Sequence, residues 1–120
     1  MEILLIFISH IITNSVGDGL NQSGKKDWGH LIKATSLLIL LVSPFIIEPT
    51  NIALYILSYC FIRESLFDFI RNMVKGDPLC FIGTSGFRAK MINWLAPYPI
   101  LIILTRIMLL GVGISIIIRM

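Results

Sequence analysis

The chain has 120 residues, of which 56% are hydrophobic and only 14% charged, with a mean hydropathy of +0.87. A soluble domain of this length buries only part of the surface its unfolded chain exposes, so it cannot hide that much apolar area from water, whereas lipid can cover it. The net charge of +3 does not point to nucleic acid, because the Lys and Arg residues sit beside apolar runs, where they orient a chain and touch anionic head groups. Cys60 and Cys80 are too few for a disulfide framework, and no CxxC, HExxH or His/Cys cluster gives metal-ligand spacing, so neither metal nor cofactor is expected.

Residues 3–16 form a first apolar segment, short for a span because about 20 residues cross the hydrocarbon core. A secretory signal would carry Lys or Arg at its start; Glu2 stands there instead, which favours a short or tilted first helix. His10 in its middle reads as an interior histidine with a satisfied partner. Residues 17–30 are polar and glycine-rich. The glycines are expected to break the helix, Ser23 to cap the next one, and Lys25, Lys26 and Trp28 to lie at the head groups.

The second span is expected at 31–47, with Lys33 reaching to the interface and Pro44 bending its far end. A tight polar turn follows, with Thr50 or Asn51 capping a third span at 51–70. In that span Glu64, Asp68 and Arg71 fall on one helical stripe, with Cys60 extending it inward, while Arg63 points about 100° away from Glu64. Residues 86–95 read as an interfacial amphipathic helix capped by Ser85, with Arg88 and Lys90 on its polar side and Trp94 and Tyr98 marking re-entry. The fourth span, 98–118, carries Arg106, and its Gly111, Gly113 and Ser115 suit close helix packing. The whole chain, 1–120, is one all-α transmembrane domain, an integral membrane bundle of four spans plus the interfacial helix.

The basic residues lie on one side of this scheme: Lys25, Lys26 and Lys33 flank the first loop, Arg71, Lys75, Arg88 and Lys90 the third, and the second loop has none. The positive-inside rule then makes loops 17–30 and 71–97 cytoplasmic, with both termini outside; an in-plane first segment would instead put the N-terminus inside. Arg63 lies about 13 Å along its helix from Asn72, and Arg106 about 13 Å from Pro97. Charges at such depth are costly and usually paired. Arg63, Glu64, Asp68 and Arg106 are therefore expected to form a buried or water-lined ionic cluster, with Glu64 and Arg106 pairing between helices and Asp18 and His30 at its mouth. Such a cluster is either purely structural or functional.

The segment from Arg63 to Ser85 has the form R-x3-FD-x3-N, a Gly-Asp-Pro turn and FIGTS. With Asp18, Lys26 and His30 upstream, it resembles a group of small, uncharacterised membrane proteins of bacteria and their phages, through Arg63, Phe67, Asp68, Asn72, Ile82, Gly83, Thr84 and Ser85. The pattern departs where Arg88-Ala89-Lys90 stands in place of an acidic residue. The resemblance spans about half the chain and implies membrane residence, with no activity attached.

Three functional readings follow. A small bundle of this kind can self-associate as a pore, a holin-like lesion or a subunit of a membrane complex, with the lipid bilayer and its anionic phospholipids as surroundings. Alternatively, Glu64 or Asp68 as base, with Arg63 and Arg106 on phosphate and Thr84-Ser85 as donors, would suit an intramembrane enzyme or binder for phospholipid head groups or lipid-linked substrates. A proton or ion path through His10, Glu64 and Asp68 requires His10 to face the bundle interior near the acidic stripe.

Overall fold

The computed structural model describes residues 2–82, 90 and 93–120. Four long helices make up nearly all of it: α1 (Glu2–Gln22), α2 (Lys26–Ile47), α3 (Ile52–Lys75) and α4 (Pro99–Arg119), with a 3-10 turn at Asn93–Leu95 before α4. The expected interfacial helix at 86–95, with Ser85 and Arg88, lies outside the described residues except for Lys90, which is helical and exposed, and that turn.

The first helix is longer than its apolar run. Gly17 and Gly19 do not break α1; they let other helices approach it. A Cβ on Gly17 would lie 2.9 Å from the Gly29 carbonyl oxygen of α2, and one on Gly19 would lie 2.7 Å from Val74 Cγ1 of α3. The helix stops only before Gly24, whose φ of 89° favours glycine. Ser23 does not cap α2: its hydroxyl donates to the Gly19 carbonyl at 2.8 Å, and α2 starts after Lys25 without a side-chain cap.

At the far end of α2 the helix runs through Pro44 to Ile47, and Glu48 closes it in the left-handed conformation. Of the two expected caps of α3, Asn51 serves, its side-chain oxygen accepting from Ala53 and Leu54 N–H at 3.0 and 3.1 Å. Thr50 donates to the Met120 carbonyl at 2.9 Å, which places this turn beside the end of α4. α3 then continues past 70 to Lys75, where Gly76 at φ 82° caps it by bonding back to Asn72.

Helix α2 packs on α1, α1 on α3, and α3 on α4. The core is small: Phe7, Ile11, Tyr55 and Ile62, with the Phe7 ring edge-on to Tyr55 at 4.7 Å and to Tyr59 at 5.2 Å. Gly113 brings α4 against the Ser58 carbonyl and Ile62 of α3. Around this core the usual distribution is inverted. His10, Ser15, Ser36, Ser43, Ser58, Ser65, Asp68 and Asn72 are buried, while Phe45 and Met108 are 83% and 71% exposed and most large apolar residues of α2 and α4 face outward. Water does not stabilise such a surface; hydrocarbon does. α1, α2 and α4 are each long and apolar enough to cross a membrane. α3 is the longest helix, and the charged residues in its second half keep it out of that class by composition.

Candidate functional site: an ionic clasp between two helices

The connections α1–α2 and α3–α4 share one end of the bundle, since Gly19 of α1 sits against Val74 of α3. At that end α3 presents Asp68 and Asn72, four residues apart and both buried, toward α4 and the segment that follows α3. Among the described residues the Asp68 carboxylate, 1% exposed, receives two guanidinium groups: Arg71 Nη2 lies 3.2 Å from Oδ1, and Arg106 Nη2 of α4 lies 3.5 Å from Oδ2. Both arginine side chains are largely covered.

Asn72 is the second half of the clasp. Its Nδ2 faces the carbonyl oxygens of Pro78, Leu79 and Phe81 at 3.2, 3.2 and 2.7 Å, and its Oδ1 accepts from Arg71 Nη2 at 3.3 Å. Arg106 Nη1 donates to the same Leu79 carbonyl at 3.3 Å. One carboxylate, one amide and two guanidinium groups thus tie α3, α4 and residues 78–81 together, and Ile82 is buried against Ile102 of α4. The Pro78 carbonyl also accepts from the Phe81 N–H at 2.8 Å, whereas the Leu79 and Phe81 carbonyls are met by side-chain donors.

Of the residues expected in one cluster, Asp68 and Arg106 meet in the clasp. Arg106 is ion-paired with Asp68, one turn along from Glu64. Glu64 stands beside Arg106 in the wall of a cavity of about 180 Å³, completed by Thr105, Ile82, Leu95, Ile102 and Leu109. Arg63 lies elsewhere, its guanidinium 4.4 Å above the Phe67 ring. Asp18 ion-pairs with Lys33 at 3.1 Å, joining α1 to α2, and His30 is exposed; among the described residues no bond links either to the clasp. Lys25, Lys26, Trp28, Trp94 and Tyr98 are exposed.

Sequence reasoning set Arg71 on the stripe with Glu64 and Asp68 but outside the cluster, and used Asn72 only as a depth marker and a point of resemblance. The i, i+3 spacing of Asp68 and Arg71 was a signal for the first. Asn72 bonds to backbone, which leaves no trace in spacing. His10 does face the interior, but its Nδ1 lies 3.0 Å from the Tyr59 hydroxyl rather than beside a carboxylate, and its carbonyl accepts from Ser36. Among the described residues no three His, Cys, Asp or Glu side chains converge as metal ligands. Gly113 makes the α3–α4 contact, whereas Gly111 opens onto a groove with Ser115. No family model, curated protein or solved structure matches the chain.

Proposed function

We propose that the chain is a four-span integral membrane protein that works as a self-associating subunit, with the clasp as its structural lock. The observation that carries this reading is the open groove on α4. Among the described residues every other glycine inside a helix, Gly17, Gly19, Gly29 and Gly113, is a point where a neighbouring helix comes close. A Cβ on Gly111 would meet nothing within 4 Å. It lines a groove of about 450 Å³ with Met108, Val112, Ser115, Ile116 and Arg119. A small-residue furrow on a lipid-facing helix suits the close approach of another helix.

In this reading α3 also spans, because α1 and α4 flank it and its buried Asp68 is matched within the bundle. The basic end, with Lys25, Lys26, Lys33, Arg71 and Lys75, lies in the cytoplasm, and the two termini lie on the other side. A single chain is filled by Phe7, Ile11 and Ile62, so a conducting path of the pore or holin kind would run between copies. Light scattering on the detergent-solubilised protein tests the association: a protein mass that is a multiple of 13.5 kDa is expected, and a lone 13.5 kDa particle would refute it. Single-channel recording on the reconstituted protein then tests conduction.

One observation favours a second reading, a binder of phospholipid head groups. The cavity beside Glu64 and Arg106 sets an acid and a guanidinium among apolar walls, as a zwitterionic head group requires. Phospholipid retained through purification by the intact chain, and lost in Arg106→Met with the mass unchanged, would support it.

A further inference from the structure

Arg63 lies at the middle of α3, eleven residues from Ile52 and twelve from Lys75, about 16–18 Å from either end. The hydrocarbon core is about 30 Å thick, so this guanidinium sits near its mid-plane, where a charge needs a counter-charge. Among the described residues no carboxylate of its own chain lies within ion-pair distance of Arg63; the ion pairs belong to Lys33, Arg71, Lys75 and Arg106. Glu64 follows it directly, but adjacent helical residues point about 100° apart and cannot neutralise each other.

Those two opposite charges flank an uncovered helix face. Tyr55, Ser58, Ile62 and Ser65 are the buried side of α3. On the other side Ala53, Ile56, Leu57 and Cys60 are exposed, and one turn further on Arg63 and Glu64 stand to the left and right of the same line. We propose that a second copy of the chain packs its α3 on this face, about a two-fold axis parallel to the helices, so that each Arg63 meets the partner's Glu64. Copies inserted with the same orientation present parallel helices. In such a pair the residue on one flank faces the residue on the other flank of the partner, so the two ion pairs form at one depth. The interface is self-complementary, as a closed two-fold contact requires. A carboxylate has two oxygens and can accept from the partner's guanidinium while it lines its own cavity. This inference rests on the self-association proposed above and names one surface of it; the Gly111 groove on α4 remains for a further neighbour.

Cys60 lies on the central line of that face and reports the contact. In membranes carrying the Cys80→Ser chain, mild oxidation is expected to give a Cys60-linked dimer. Arg63→Glu, which sets acid against acid twice, is expected to lower the linked fraction about tenfold, and Arg63→Glu with Glu64→Arg to restore it. Light scattering on the same proteins runs alongside. A multimer without Cys60 linkage, linkage indifferent to Arg63→Glu, or a double exchange that fails to restore it would overturn this face and leave self-association standing. A monodisperse monomer would overturn both.

Discussion

Asp68 of α3 and Arg106 of α4 face each other at 3.5 Å, and the same guanidinium holds the Leu79 carbonyl. Removing Asp68 takes this carboxylate from both guanidinium groups, whereas removing Arg106 leaves Asp68 its Arg71 pair; breaking a buried pair costs up to about 3–5 kcal/mol, and removing both partners is cheaper. Asp68→Ala is expected to lower stability by that order, and Arg106→Met by less, because Arg71 still faces the carboxylate. The double variant should recover part of the loss. Denaturant unfolding in detergent micelles, run as a double-mutant cycle, measures the coupling.

Asn72→Leu keeps the volume and removes the donors to Pro78, Leu79 and Phe81. The Pro78 carbonyl keeps the Phe81 N–H and the Leu79 carbonyl keeps Arg106, so the loss falls chiefly on the Phe81 carbonyl, at about 1–3 kcal/mol, and is local. Residues 79–82 are expected to exchange their amide hydrogens faster, while the centres of α1 and α4 keep their protection. Hydrogen exchange with mass spectrometry reads the difference.

Much of this architecture was legible in composition and run length: four helical segments, their order, the turn at 48–51 with Asn51 as its cap, and the stripe that carries Asp68. What was not legible shares a physical cause. Gly17 and Gly19 read as breakers because a glycine that ends a helix and one that admits a neighbouring helix look alike until the neighbour is placed. Asn72 was missed because its bonds go to backbone carbonyls nine or fewer residues ahead. That Arg106 reaches Asp68 depends on the axial offset between α3 and α4, which spacing along a single helix does not determine.

Two kinds of glycine should respond differently. Gly29→Ala would push a Cβ to within 2.6 Å of the Gly17 carbonyl and is expected to cost about 1–3 kcal/mol by overpacking. Gly111→Leu enters open space, so thermal stability in detergent should hold while the associated fraction in light scattering falls. Equal destabilisation of the two variants would count against Gly111 being an outward-facing contact point.

Topology can be read chemically. In a chain with Cys60→Ser and Cys80→Ser, Lys26→Cys and Lys75→Cys are expected to react with an impermeant maleimide from the same side of sealed vesicles. Thr50→Cys should react only from the opposite side. Labelling of Lys26→Cys and Thr50→Cys from one side would break the antiparallel crossing of α2.

The account depends on hydrocarbon surrounding an apolar exterior while polar groups turn inward. Spin labels placed at Leu41, Ile107 and Ser58 of the reconstituted protein, probed with oxygen and with a water-soluble nickel chelate, test this most directly. Leu41 and Ile107 should be open to oxygen and closed to nickel, and Ser58 closed to both. Free access of nickel to Leu41 and Ile107 would show those faces in water and contradict the account.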